Sequence, residues 1–152
     1  MRDLLETLDA WRAEGQDAGR AVVVRTFGSA PRPEGAVLLV ADDGRLMGSV
    51  SGGCVEGAAA EEIERARATG NARVIRYGIS DEEAWDVGLA CGGTIDVLVQ
   101  PAIPVAVTAA AAGSLGPRGR SVAAVTPLPA DAPPPAFGAH QPGIGEPPAT
   151  PV

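Results

Sequence analysis

Two short stretches of this chain set a cysteine against a glycine pair: Ser51-Gly52-Gly53-Cys54-Val55-Glu56 and Cys91-Gly92-Gly93. They contain the only two cysteines in the sequence. A Gly-Gly pair has no Cβ, so its backbone can come close to a ligand or to another chain segment. A cysteine beside it is presented on exposed or strained backbone rather than lost in a core. The two stretches are therefore expected to make one composite site from distant segments. The first lies where a strand gives way to a helix. The first N–H groups of a helix have no internal partner and its dipole favours negative charge, so Ser51, Gly52 and Gly53 form a candidate anion cradle. Cys54 falls at the first helical position, where the same field would lower a thiol pKa. Arg32, on a loop containing Pro31 and Pro33, would supply a fixed cation.

Each feature has a plainer alternative. Glycine-rich strand-helix turns often serve tight packing alone, and the spacing here matches neither a Rossmann nor a P-loop fingerprint. A buried cysteine is more often a small core residue than a ligand. A disulfide between Cys54 and Cys91 is a further alternative, and Arg32 could be a solvated surface charge. Zinc is disfavoured, because there is no Cys-x-x-Cys and the single histidine, His140, stands in a Pro-rich tail.

The elements that must position these residues are legible from periodicity. Leu4, Leu5, Leu8 and Trp11 fall at helical spacing and predict an amphipathic first helix ending near Gly15. Ala21–Thr26 is a short β-branched run and predicts a buried strand. Strands are also expected over 36–40 and 45–50, joined by a tight Asp42-Asp43-Gly44 turn. Residues 54–69 predict a helix that stops at Gly70-Asn71. A strand over 72–77 follows. Ser80-Asp81-Glu82-Glu83 fits a capping box opening a short helix that carries Trp85. Thr94–Val99 is a fifth strand, closed by Pro101. Further on, 105–108 and 121–125 are two candidate strands, and the chain after Pro127 is Pro, Ala and Gly with few core residues, expected to be a disordered tail.

Composition narrows the classes. The chain has 152 residues, one domain's worth with room for an appendage. Hydrophobic residues are 45% and aromatics only 3%, so the core must be aliphatic. The formal net charge is -7 and all twelve basic residues are Arg, without a basic cluster, which argues against nucleic-acid binding. No apolar run approaches the ~20 residues of a membrane span. The acidic residues near the N-terminus are unlike a signal peptide. A cytoplasmic setting is expected, in which thiols stay reduced and serve as reactive or ligating groups.

Several ordered motifs together resemble one family. They are Gly28-Ser29-Ala30-Pro31-Arg32, Gly48 to Glu56, Tyr77-Gly78, and Val87 to Ile95 with Cys91-Gly92-Gly93 at its centre. Over roughly Leu4 to Pro101 the chain resembles the XdhC/CoxI family, accessory proteins of molybdenum hydroxylases such as xanthine dehydrogenase and carbon monoxide dehydrogenase. The resemblance implies binding of the molybdenum cofactor (molybdopterin) as cargo and its delivery to an apo-hydroxylase, without turnover chemistry. It makes Cys54 and Cys91 candidate molybdenum contacts or sulfur guards. Ser51, Gly52, Gly53, Gly92 and Gly93 become cofactor-binding backbone, and Arg32 a phosphate neutraliser. Implied partners are the hydroxylase, a cysteine desulfurase, a second copy of the chain, and a separate Rossmann-like domain, since many relatives continue into one.

The expected fold is α+β, a mixed, mainly antiparallel sheet with two main helices and a Pro-rich C-terminal tail. The expected division is a family domain over 1–101, additional strands of that domain over 102–126, and the tail over 127–152. Two other functions stand beside the maturation factor: a sulfur-transfer or redox enzyme using Cys54 and Cys91, and an interaction module that never touches cofactor.

Overall fold

A computed structural model of the protein describes residues 2–78, 92–114 and 129–130. In chain order its elements are α1 (Arg2–Ala13), β1 (Ala18–Phe27), β2 (Val37–Ala41), β3 (Leu46–Gly48), α2 (Glu56–Thr69), β4 (Arg73–Tyr77), β5 (Thr94–Gln100) and α3 (Val105–Ser114). The five strands form one sheet in the order β3-β2-β1-β5-β4. Every pairing among the described residues is antiparallel, so the expected α+β class holds and among them the sheet has no parallel member. The topology explains this. α2 carries the chain from one edge strand, β3, to the other, β4. β5 then inserts between β4 and β1, antiparallel to both. The turn between β2 and β3 has Gly44 at φ 86°, as the Asp-Gly pair requires.

Each face of the sheet is covered by aliphatic packing. Ala59, Ile63 and Ala66 of α2 are buried against Ala21, Val23, Leu38, Val40, Ile95, Val97 and Val99. On the opposite face Leu8 and Trp11 of α1 are buried with Ala18, Leu39, Ala41 and Ile103. That face also carries Asp96, fully buried, whose carboxylate accepts from Arg76 at 2.7 and 3.0 Å and lies 3.5 Å from Arg25. The Arg76 guanidinium stands over the Phe27 ring, 5.6 Å from its centre. Residues 25 and 76 flank Asp96 across the two neighbouring strands, so one carboxylate ties three strands together.

The strand expected at 105–108 is instead the first turn of α3. Helix formation wins because Ala109–Ala112 follow, four residues of the highest helix propensity, against two isolated valines. Pro104 opens the helix, its carbonyl accepting from the Val107 and Thr108 amides. Arg12 docks it to α1, donating to the Ile103 carbonyl at 2.7 Å and to the Thr108 hydroxyl at 2.9 Å. Three helices are therefore described where two main ones were expected. The short helix expected after Ser80, the candidate strand at 121–125 and most of the expected tail lie outside the described residues. Among the described residues, no helix is long and apolar enough to cross a membrane.

Candidate functional site

The alternating strand directions gather three loops at one pole of the sheet. Phe27 pairs with Thr94, Val22 with Val37, Leu38 with Gly48, and Tyr77 with Ile95. The ends of β1, β3 and β4 and the beginnings of β2 and β5 therefore share one end of the sheet. The 28–36 loop, the 49–55 loop and residues 92–93 all leave the sheet there, and α2 starts there. Arg32, Ser51, Gly52, Gly53, Cys54, Gly92 and Gly93 thus sit at the same pole. Cys91 lies outside the described residues.

The 49–55 loop is pinned at its ends and open in the middle. Val50 and Val55 are fully buried in the α2-side core. Between them Gly52 and Gly53 hold φ of 78° and 117°, and Cys54 is exposed. Such backbone is strained for any residue with a Cβ, which is why two glycines stand here. A Cβ built on either glycine would meet nothing within 4 Å, so this stretch of backbone faces open space.

Amides do gather round an anion at this turn, but they precede the helix and the anion is the chain's own carboxylate. Glu56 accepts from the Ser49 hydroxyl at 2.7 Å, the Ser51 hydroxyl at 2.6 Å, and the amides of Val50, Ser51 and Gly53 at 3.1, 2.9 and 2.8 Å. The same hydroxyls accept in turn, Ser49 from the Gly52 amide at 2.8 Å and Ser51 from the Val55 amide at 2.9 Å. Partial burial pushes the Glu56 carboxyl up. The bonds from Ser51 and Ser49 and from backbone amides outweigh it and carry the group down to about 2.

The helix correspondingly begins at Glu56 with Val55 as its N-cap, so Cys54 precedes the helix and does not occupy its first position. Glu56 is the first helical residue, and its reach back three residues to the Gly53 amide falls outside the helix, so it has the spacing of a capping box without capping α2. That spacing, Gly53-x-x-Glu56, was the available signal for a residue not placed in the site from sequence.

The second glycine pair does a different job. A Cβ on Gly93 would lie 2.7 Å from the Ser29 carbonyl carbon and oxygen and 2.9 Å from the Ala30 nitrogen. The close approach expected at Gly92-Gly93 is therefore chain on chain: Gly93 packs against Gly28-Ser29-Ala30, the root of the loop that carries Arg32. That loop is braced at its base, where the Gly35 amide donates to the Val23 carbonyl at 2.8 Å and Glu34 accepts from the Thr26 amide at 3.1 Å. Arg32 is exposed and has no ion-pair partner among the described residues. Chemically, the pole offers a solvent-facing thiol, a bare strip of glycine backbone beside it, and a cation on a braced neighbouring loop. A thiol so placed can meet a soft metal or sulfur centre, and the glycines leave room for a planar group.

Residues 11–78 match the XdhC and CoxI family. The chain is similar to the molybdenum cofactor insertion chaperone PaoD of Escherichia coli (strain K12), 46% identical over 82 residues, covering 53% of this chain and 25% of that protein. It is also similar to a probable xanthine dehydrogenase subunit of Bacillus subtilis (strain 168), 36% identical over 95 residues, covering 59% of this chain and 28% of that protein. A crystal structure of a xanthine dehydrogenase from Bacillus halodurans superimposes with a TM-score of 0.58 at 28% identity, over 72% of this chain and 35% of that one. The chain thus spans only about a quarter to a third of the length of these relatives. The matched residues 11–78 include Arg32 and the whole Ser51–Glu56 loop.

Proposed function

We propose that this chain binds the molybdenum cofactor as cargo and takes part in its insertion into a molybdenum hydroxylase, as its similarity to an insertion chaperone supports. The observation that carries the reading is the exposed Cys54 beside unobstructed Gly52-Gly53, inside the family segment. Cys54 would contact the metal or its sulfur, with Cys91 as the second thiol. The glycine strip would accept the flat pterin. The phosphate would not enter the backbone cradle, because Glu56 fills it. Arg32 is the group at this pole suited to that charge. The setting is cytoplasmic, where both thiols stay reduced. The partners are the apo-hydroxylase, a cysteine desulfurase, a second copy of this chain, and a separate Rossmann-like domain.

The test is the molybdenum and pterin content of protein purified from a cofactor-making host. The parent should carry both in equal amount, and Cys54→Ser and Cys91→Ser should each retain less with unchanged circular dichroism, because a hydroxyl is a far poorer soft-metal ligand. A double Ser variant that keeps its full molybdenum would reject the reading in favour of a cofactor-free interaction module. A disulfide between Cys54 and Cys91, or a persulfide on either, that forms on turnover would favour the sulfur-transfer enzyme.

A further inference from the structure

We propose that Glu56 is the positioning residue of this site, holding Ser49–Cys54 in the single conformation that keeps the Cys54 thiol in solvent beside a flat glycine strip. The inference rests on the cofactor reading of that loop and adds a residue to it. A loop containing two glycines at positive φ has no conformational preference of its own to keep it in place. Its ends are fixed by Val50 and Val55 in the core, but a Cβ on Gly52 or Gly53 would meet nothing within 4 Å. What remains to order the middle is polar. Three of its amides and both of its hydroxyls converge on one carboxylate. Those hydroxyls then satisfy the Gly52 and Val55 amides, so the amides of residues 50–53 and of Val55 are tied to Glu56 directly or at one remove, while the Ser49 amide goes to the Val37 carbonyl. None of the three amides on the carboxylate belongs to α2, so these bonds order the loop rather than cap the helix. The Glu56 carboxylate is taken up by these bonds within the loop, and Cys54 beside them is exposed.

The test combines amide hydrogen exchange with molybdenum retention in the full chain. In Glu56→Gln, and in the milder Ser49→Ala should the first fold poorly, the Val50, Ser51 and Gly53 amides should exchange about ten-fold faster or more, with the Ile63 and Val97 amides unchanged. Retained molybdenum should fall about ten-fold in the same variants. Cys54→Ser should lose molybdenum with those loop amides still protected, which separates positioning from contact. The proposal is overturned if the loop amides keep their protection without the carboxylate. It is equally overturned if the loop loosens and molybdenum is retained while Cys54→Ser loses it; Glu56 would then only stabilise the loop and the cofactor reading would stand. If Cys54→Ser also keeps its molybdenum, the cofactor reading of the loop fails, and the positioning role with it.

Discussion

The balance at Glu56 makes a chemical prediction at the level of one residue. Its carboxyl sits near 2 in the folded chain against an ordinary value of 4.5. A depressed folded value means that its contribution to stability is complete above about pH 4.5 and is lost as pH falls toward 2. Urea midpoints measured from pH 6 to pH 2 should therefore show the parent converging on Glu56→Gln as acid is added. A gap that stays constant through that window would remove the carboxylate from the account. Gly53→Val addresses the neighbouring backbone. A β-branched residue at φ 117° should cost about 1–3 kcal/mol of stability in urea melts and abolish cofactor retention. Normal retention would show that the glycine strip is not approached. The site residues were legible in the sequence as types, because cysteine and paired glycines are unusual neighbours. What each pair does was not. Gly52-Gly53 and Gly92-Gly93 look alike on paper, yet one faces open space and the other abuts Ser29, a distinction that exists only between segments more than sixty residues apart.

Among the elements, β5 carries the heaviest structural duty. It is buried along most of its length, and its one charged residue, Asp96, is held by arginines from β1 and β4. Asp96→Asn keeps the volume and removes the charge, leaving Arg76 and Arg25 without the carboxylate they address. Breaking a buried pair from one side costs about 3–5 kcal/mol, and equilibrium unfolding should show a loss of that size. A loss under about 1 kcal/mol would mean the arginines are adequately served by other groups. The elements were largely readable from periodicity: α1, the five strands and α2 all stand where alternation and helical spacing put them. α3 was not, because Val105 and Val107 alternate as a strand would. The alanines that follow, and the docking by Arg12, decide the matter. Buried Asp96 also resisted sequence reading, since a lone acid in an apolar run reveals its partners only across the sheet.

At the scale of the whole molecule, residues 127–152 contain few apolar side chains to offset the entropy of ordering them. A chain ending at Pro127 should keep its thermal midpoint and its cooperativity, and a clear loss of either would show that the tail packs. A mixed, mainly antiparallel sheet was expected, while the purely antiparallel pairing of the described strands follows from where β5 inserts. That insertion also sets a timetable. The family segment closes at residue 78, just after β4, yet β1 and β4 both wait for a neighbour that starts at Thr94. As the chain leaves the ribosome, β1 keeps one edge unpaired until β5 has followed it out, and an unpaired strand edge is a template for any other chain. The pole that bears Cys54 is closed on its far side by the same late event, when Gly93 comes to rest on Ser29. A nascent chain would thus be unable to complete this pole before β5 is made, so a ligand of the pole would meet only the completed sheet.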